Sequence, residues 1–183
     1  YRAVHGQLEL GWRGLRFKHI PVDVLSQVYE RFSHKFLPKQ SAVDSIHYTP
    51  RVLAETLVES TFSAVNEDDK SRLRVLDPAV GAGVFLVLSL KRLVQETWEE
   101  TGIQPNRTII RNILNNQLCG FDINRGALKV AALSLYLAAI ELDPDPQPVS
   151  ELKFKKLFGT VLHCVTFEDG LGSLSPHLEE HLG

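Results

Sequence analysis

The chain of 183 residues contains no methionine, not even at position 1, and only two cysteines, Cys119 and Cys164. A natural chain of this length without methionine reads as a fragment of a longer protein, or as one whose methionines are missing from the sequence. Contiguous motifs therefore carry more weight than the distances between them. Two cysteines with no further ligands beside them argue against a disulfide framework and a zinc site, and no other metal ligand set is indicated. A reducing, cytoplasmic setting is expected. A basic excess is also lacking: the formal net charge is -2, unlike that of a protein that coats nucleic acid by neutralising phosphates. No apolar run is long enough to span a membrane. The longest, Ala127 to Leu142, is interrupted by Lys129, Ser134 and Glu141 and falls short of roughly 20 residues, so it reads as a buried core helix. The opening Tyr1-Arg2-Ala3-Val4-His5-Gly6 has no apolar stretch of signal-peptide type.

With 44% hydrophobic and 23% charged residues, the chain has the material for one globular domain with a small appendage. Its charge is uneven. Within residues 1 to 40, Arg2, Arg13, Arg16, Lys18, Arg31, Lys35 and Lys39 outnumber Glu9, Asp23 and Glu30 and interleave with Trp12, Phe17, Tyr29, Phe32 and Phe36. That pattern fits a phosphate-facing patch, and it equally fits a solvated helix face with core aromatics.

Local patterns divide the chain further. Residues 1 to 20 alternate loosely between turn glycines and predict short strands or irregular structure. From Pro21, the spacing of Val24, Leu25, Val28, Tyr29 and Phe32 predicts an amphipathic helix of about three turns. Thr49-Pro50 places a capping hydroxyl before a proline at the first helical position, and Val52, Leu53, Leu57, Val58 and Phe62 continue that helix. Asn66 to Ser71 reads as a polar surface connection. Leu73 to Asp77 is a buried-type strand, Pro78 to Gly83 a turn, and Val84 to about Glu100 a helix stopped by Gly102. A helix over Arg107 to Asn115, a strand over Gln117 to Asp122, a helix over Arg125 to Leu142 and a strand over Thr160 to Val165 follow. Asp143 to Pro148 reads as a rigid linker. Strands alternating with helices predict a parallel sheet with helices on its faces.

Chemistry concentrates where the first of these strands ends. Asp77 precedes Gly81 and Gly83, two glycines that let a backbone approach a ligand, and the helix after them offers free N–H groups. A tight strand-to-helix turn without a ligand would look the same. The residue three after Gly83 is Leu86, not the third glycine of a dinucleotide fingerprint, and no Gly-Lys-Ser/Thr follows, so nicotinamide and P-loop readings are disfavoured. An acid before the glycines and a second strand-end acid, Asp122, suit a ligand with a positive group and a ribose diol. S-adenosylmethionine has an ammonium, a sulfonium and a ribose.

The stretch Asp77-Pro78-Ala79-Val80-Gly81-Ala82-Gly83-Val84-Phe85-Leu86 resembles the D-P-A-C-G-S-G-x-F-L motif of the adenine-N6 DNA methyltransferases of type I and type IIG restriction-modification systems. His47-Tyr48-Thr49-Pro50 is similar to the Y-T-P segment of that family, Ile20 to Phe32 resembles its upstream helix, and Gly120-Phe121-Asp122-Ile123-Asn124 matches its second cofactor motif. The resemblance covers residues 20 to 142. It implies a Rossmann-like, S-adenosylmethionine-dependent α/β fold holding part of a parallel sheet flanked by helices, after a small helical segment. The expected division is an N-terminal segment, 1–46, and a cofactor-binding part, 47–183.

By the same resemblance, Tyr48, Thr49 and Pro50 line the methionine end of S-adenosyl-L-methionine. Asp77, Pro78, Ala79, Gly81, Gly83 and Phe85 belong to its cradle, Asp122 binds the ribose hydroxyls and Ile123 packs on adenine. Asp169, in Glu168-Asp169-Gly170-Leu171, corresponds to the acid that meets the adenine amine, and it reads equally well as an exposed loop acid. Val80 and Ala82 replace the family's Cys and small hydroxyl residue, which keeps the turn small but removes a side-chain hydrogen bond. The family's catalytic Asn/Asp-Pro-Pro-aromatic motif is absent, since the sequence has no two consecutive prolines. That motif holds a target base swung out of the duplex, so no catalytic residue is assigned and the chain alone is expected to be inactive.

In the family's sheet the strand ending at Asp77 is central, so a chain ending near Gly183 would leave it an exposed edge. The expected partners are double-stranded DNA and specificity and restriction subunits or a fused nuclease, with no membrane. A degenerate module that only positions DNA or partner subunits is the main alternative, and methylation of RNA or protein would share the cofactor motifs.

Overall fold

A computed structural model describes residues 2–4, 7–9, 24–25, 28–29, 35, 49–145, 147–148 and 151–165. Near the start, β1 (Arg2–Val4) and β2 (Gln7–Glu9) pair antiparallel, as the loose alternation of this region predicts. Val24, Leu25, Val28 and Tyr29 are helical, in keeping with the period read from Pro21 onward. Most of the basic and aromatic residues expected to form a phosphate-facing patch lie outside the described residues.

The main body begins with α1 (Arg51–Ser63), which buries Ala54, Val58 and Phe62. Its cap differs from the expected one. Pro50 has ψ 133, an extended value, so it stands before the helix as the cap residue and brings no side-chain hydrogen bond. Thr49 is therefore one position too early to cap. The polar connection after α1 winds through a 3-10 turn, Glu67–Arg72, that leads to β3 (Val75–Asp77).

Helix α2 (Val84–Thr101) ends at Gly102, whose left-handed φ of 67 lets its N–H reach Trp98 O at 2.8 Å. Helix α3 (Arg107–Asn116) starts where the Asn106 side chain accepts from the N–H groups of Thr108 and Ile109. Strand β4 (Leu118–Asp122), helix α4 (Arg125–Leu142) and strand β5 (Leu162–Cys164) complete the body.

The strands form a parallel sheet in the order β3-β4-β5. Asp77 lies opposite Gly120, and Asp122 opposite Cys164, so the carboxyl ends of all three strands share one edge. Among the described residues β3 pairs with β4 alone, and Leu76 is 40% exposed.

Leu86, Leu90 and Leu93 of α2 pack with Ile110 and Leu114 of α3 and with Leu128 and Leu135 of α4. Burying each such side chain stabilises the fold by about 1.5–3 kcal/mol. The apolar run read as a buried core helix behaves differently on its two sides. Ala127, Leu128, Ala131, Leu135 and Ala138 are buried, whereas Leu133 and Leu137 are exposed, because this helix contributes only one face to the layer over the sheet. Among the described residues no helix is long and apolar enough to cross a membrane.

Candidate functional site

Three short backbone hydrogen bonds to carboxylates organise the shared strand edge. Asp77, the last residue of β3, accepts from the Ala79 N–H through Oδ1 at 3.0 Å, which folds the chain back immediately after the strand. Asp122, the last residue of β4, accepts from the Gly81 N–H through Oδ2 and from the Asn124 N–H through Oδ1, each at 2.7 Å. The glycine turn of one strand is thus tied to the terminal acid of the next. Val80 reinforces the tie, since its N–H donates to Phe121 O at 2.9 Å and its side chain is buried.

The two glycines of the turn have different physical roles. Both have positive φ, 54 at Gly81 and 92 at Gly83, where L side chains are strained. A Cβ on Gly81 would meet nothing within 4 Å, so its open side can face a ligand. A Cβ on Gly83 would stand 3.0 Å from Cα and Cβ of Ala131, so this glycine lets α4 cross close behind the turn. The open approach expected at both glycines belongs to Gly81 alone.

The acids also differ electrostatically. Asp77 is buried, and its Oδ2 has no hydrogen-bond partner among the described residues. Burial pushes its carboxyl above the usual carboxylate range; the Ala79 N–H opposes this, and the nearby Asp122 charge adds to the rise. A buried acceptor left unpaired costs about 1–3 kcal/mol. A donor or cation placed against Oδ2 would recover that loss, so the residue has the character of a half-filled binding group.

The remaining expected site residues are placed as follows. Pro78 and Ala79 are exposed on the turn, Phe85 is half-buried at the start of α2 against the core, and Ile123 is half-buried immediately after Asp122. Thr49 is half-buried and Pro50 exposed at the start of α1. Tyr48 and Asp169 lie outside the described residues. Pairing of β5 with β4 puts Cys164 beside Asp122, where its Sγ lies 3.8 Å from Ile123 O. Cys119 lies in the strand interior, and burial raises its thiol to about 11, which suits a packing role.

Two residues with no assigned role in the sequence also build the site. Gly120 faces Asp77 in the sheet, and a Cβ there would collide with Val80 Cγ2 and Leu86 Cδ1, so only glycine lets the turn settle over β4. Asn124 caps α4 through Oδ1, accepting from Gly126 N–H at 2.8 Å and Ala127 N–H at 3.0 Å. Its place two residues after a strand-end acid, just ahead of an apolar helix, is a start signal readable in the sequence.

Residues 21–150 match the model of the family described as N-6 DNA Methylase. The chain belongs to that family. Its members generally use S-adenosylmethionine, and its Rossmann-like fold agrees with the parallel strands and helices found here. A relative from Methanocaldococcus jannaschii, named as a type II restriction enzyme and methyltransferase, is 35% identical over 156 residues. That match covers 73% of this chain and 13% of the relative, so the chain spans only a small part of the length of the curated protein it matches. No solved structure matches the chain.

Proposed function

We propose that this chain is the S-adenosylmethionine-binding portion of a DNA methyltransferase that modifies adenine at N6, within a restriction-modification or phage-defence system in the cytoplasm. The observation that carries the reading is the pair of acids at the strand edge: Asp122 bonded to Gly81 of the glycine turn, and Asp77 with one buried oxygen that has no partner among the described residues. Oδ2 of Asp77 suits the ammonium of the methionine moiety. Asp122 uses one lone pair on each oxygen for Gly81 and Asn124, which leaves acceptor capacity for two ribose hydroxyls. Gly81 leaves room for the sugar, Ile123 offers an apolar side chain to adenine, and Asp169 is assigned to the adenine amine. Tyr48, Thr49 and Pro50, with Pro78, Ala79, Gly83 and Phe85, complete the cradle.

When bound, the cofactor supplies an activated methyl group. The residues of this chain bind and orient it, and no residue among the 183 is assigned to hold the target base. Double-stranded DNA is the proposed substrate of the intact protein, with a nuclease fused or associated, as the name of the archaeal relative would suggest. Incubating the intact protein with S-adenosylmethionine and duplex DNA should yield N6-methyladenine by mass spectrometry of the digested DNA. Cofactor binding without any methylation of DNA would favour a degenerate positioning module, and transfer to RNA or protein would redirect the substrate assignment.

A further inference from the structure

The helical residue Tyr29 lies far from the cofactor motifs in sequence, yet it meets one of them in space. Its hydroxyl donates to Asn124 Oδ1 at 3.0 Å across a separation of 95 residues. The contact needs a glycine beside it, because a Cβ on Gly126 would lie 2.7 Å from the Tyr29 hydroxyl. Asn124 is not a bystander: the same Oδ1 caps α4, and its N–H donates to Asp122 Oδ1 at 2.7 Å. A continuous line of hydrogen bonds therefore runs from Tyr29 through Asn124 and Asp122 to the Gly81 N–H in the glycine turn.

We infer that Tyr29 is a positioning residue for the Asp122 carboxylate, fixing the Asn124 loop so that the acid faces the ribose hydroxyls of the methyl donor. This rests on the reading of the strand edge as a cofactor site. The tyrosine suits the task because it is half-buried and its hydroxyl joins the Gly126 and Ala127 N–H groups as a third donor converging on Asn124 Oδ1.

The test is a titration of S-adenosylmethionine into the intact protein by calorimetry, with Tyr29→Phe made alone and in an Asp122→Ala background. Loss of one neutral hydrogen bond should weaken binding about threefold to tenfold in the parent background. In the Asp122→Ala background the same change should have no effect, because the group being positioned is gone. Gly126→Ala, whose Cβ would lie 2.7 Å from the Tyr29 hydroxyl and 3.0 Å from Asn124 Oδ1, should disturb the same contact and reproduce the loss. Unchanged affinity in Tyr29→Phe, or an equal loss in both backgrounds, would overturn the positioning role while leaving the cofactor site intact. Failure of the unsubstituted protein to bind the cofactor would overturn both.

Discussion

The ends of β3 and β4 carry the same residue type in neighbouring positions, and the structure treats them oppositely. Asp122 is held by two backbone N–H groups from two different loops. Asp77 is held by one, and its other oxygen is buried without a partner among the described residues. The first acid stabilises the unliganded turn, whereas the second is a charge that burial works against. One edge of a sheet thus carries one acid with both oxygens engaged by backbone amides and another with a buried oxygen that has no partner among the described residues.

Replacing Asp122 by Ala should break this comparison most severely. It removes both backbone anchors and the ribose acceptors, so thermal unfolding should show a loss of about 1.5–3 kcal/mol and cofactor affinity should fall about 10- to 150-fold. Asp77→Asn should separate the two properties. Affinity for the cofactor should fall at least tenfold as the ion pair is lost, while the unliganded protein should unfold at the same or a higher temperature near neutral pH.

The pH dependence follows from the direction of the Asp77 shift. Because its folded carboxyl titrates above the ordinary range, the folded state holds more protons than the unfolded state between the two values. Its contribution to stability is full below the unfolded value and is lost as pH rises through the folded one. Melting curves of the parent and Asp77→Asn should therefore diverge across that acidic window, the parent gaining stability relative to the variant as pH falls.

The glycines allow a smaller contrast. Gly83→Ala must displace α4 at Ala131 as well as strain φ, so it should cost about 1–3 kcal/mol in denaturant unfolding. Gly81→Ala meets only the backbone strain, about 1–2 kcal/mol, and should weaken the cofactor more than it weakens the fold. Smallest of all, Cys164 should react with a thiol reagent and Cys119 should not, and bound cofactor should slow the reaction at Cys164 beside Asp122.

Much of this arrangement was legible in the residues. The β-branched run ending in Asp77, the stop at Gly102 and the apolar period of Arg125 to Leu142 predict elements that the structure bounds within a few residues. Other features depend on contacts that local patterns do not encode. Gly83 looks like a ligand-facing glycine until α4 is placed behind it, and Gly120 looks like a weak point in a strand until Val80 is placed over it. The 3-10 turn at Glu67–Arg72 has the composition of a solvated loop. The cap shifts from Thr49 to Pro50 because Pro50 satisfies the sequence rule for a first helical position while taking an extended ψ. The unequal partnering of the two acids was not legible at all, since it depends on which amides the folded turn brings to each carboxylate.

Calorimetric titration of S-adenosylmethionine into the intact protein and its Asp77→Asn variant across the acidic pH range tests the role of the buried acid most directly. Saturable binding that weakens in the parent as pH falls into the raised Asp77 titration, with a weaker and flatter profile in the variant, is the predicted result. Absent binding, or equal affinities with the same pH profile in both proteins, would contradict it.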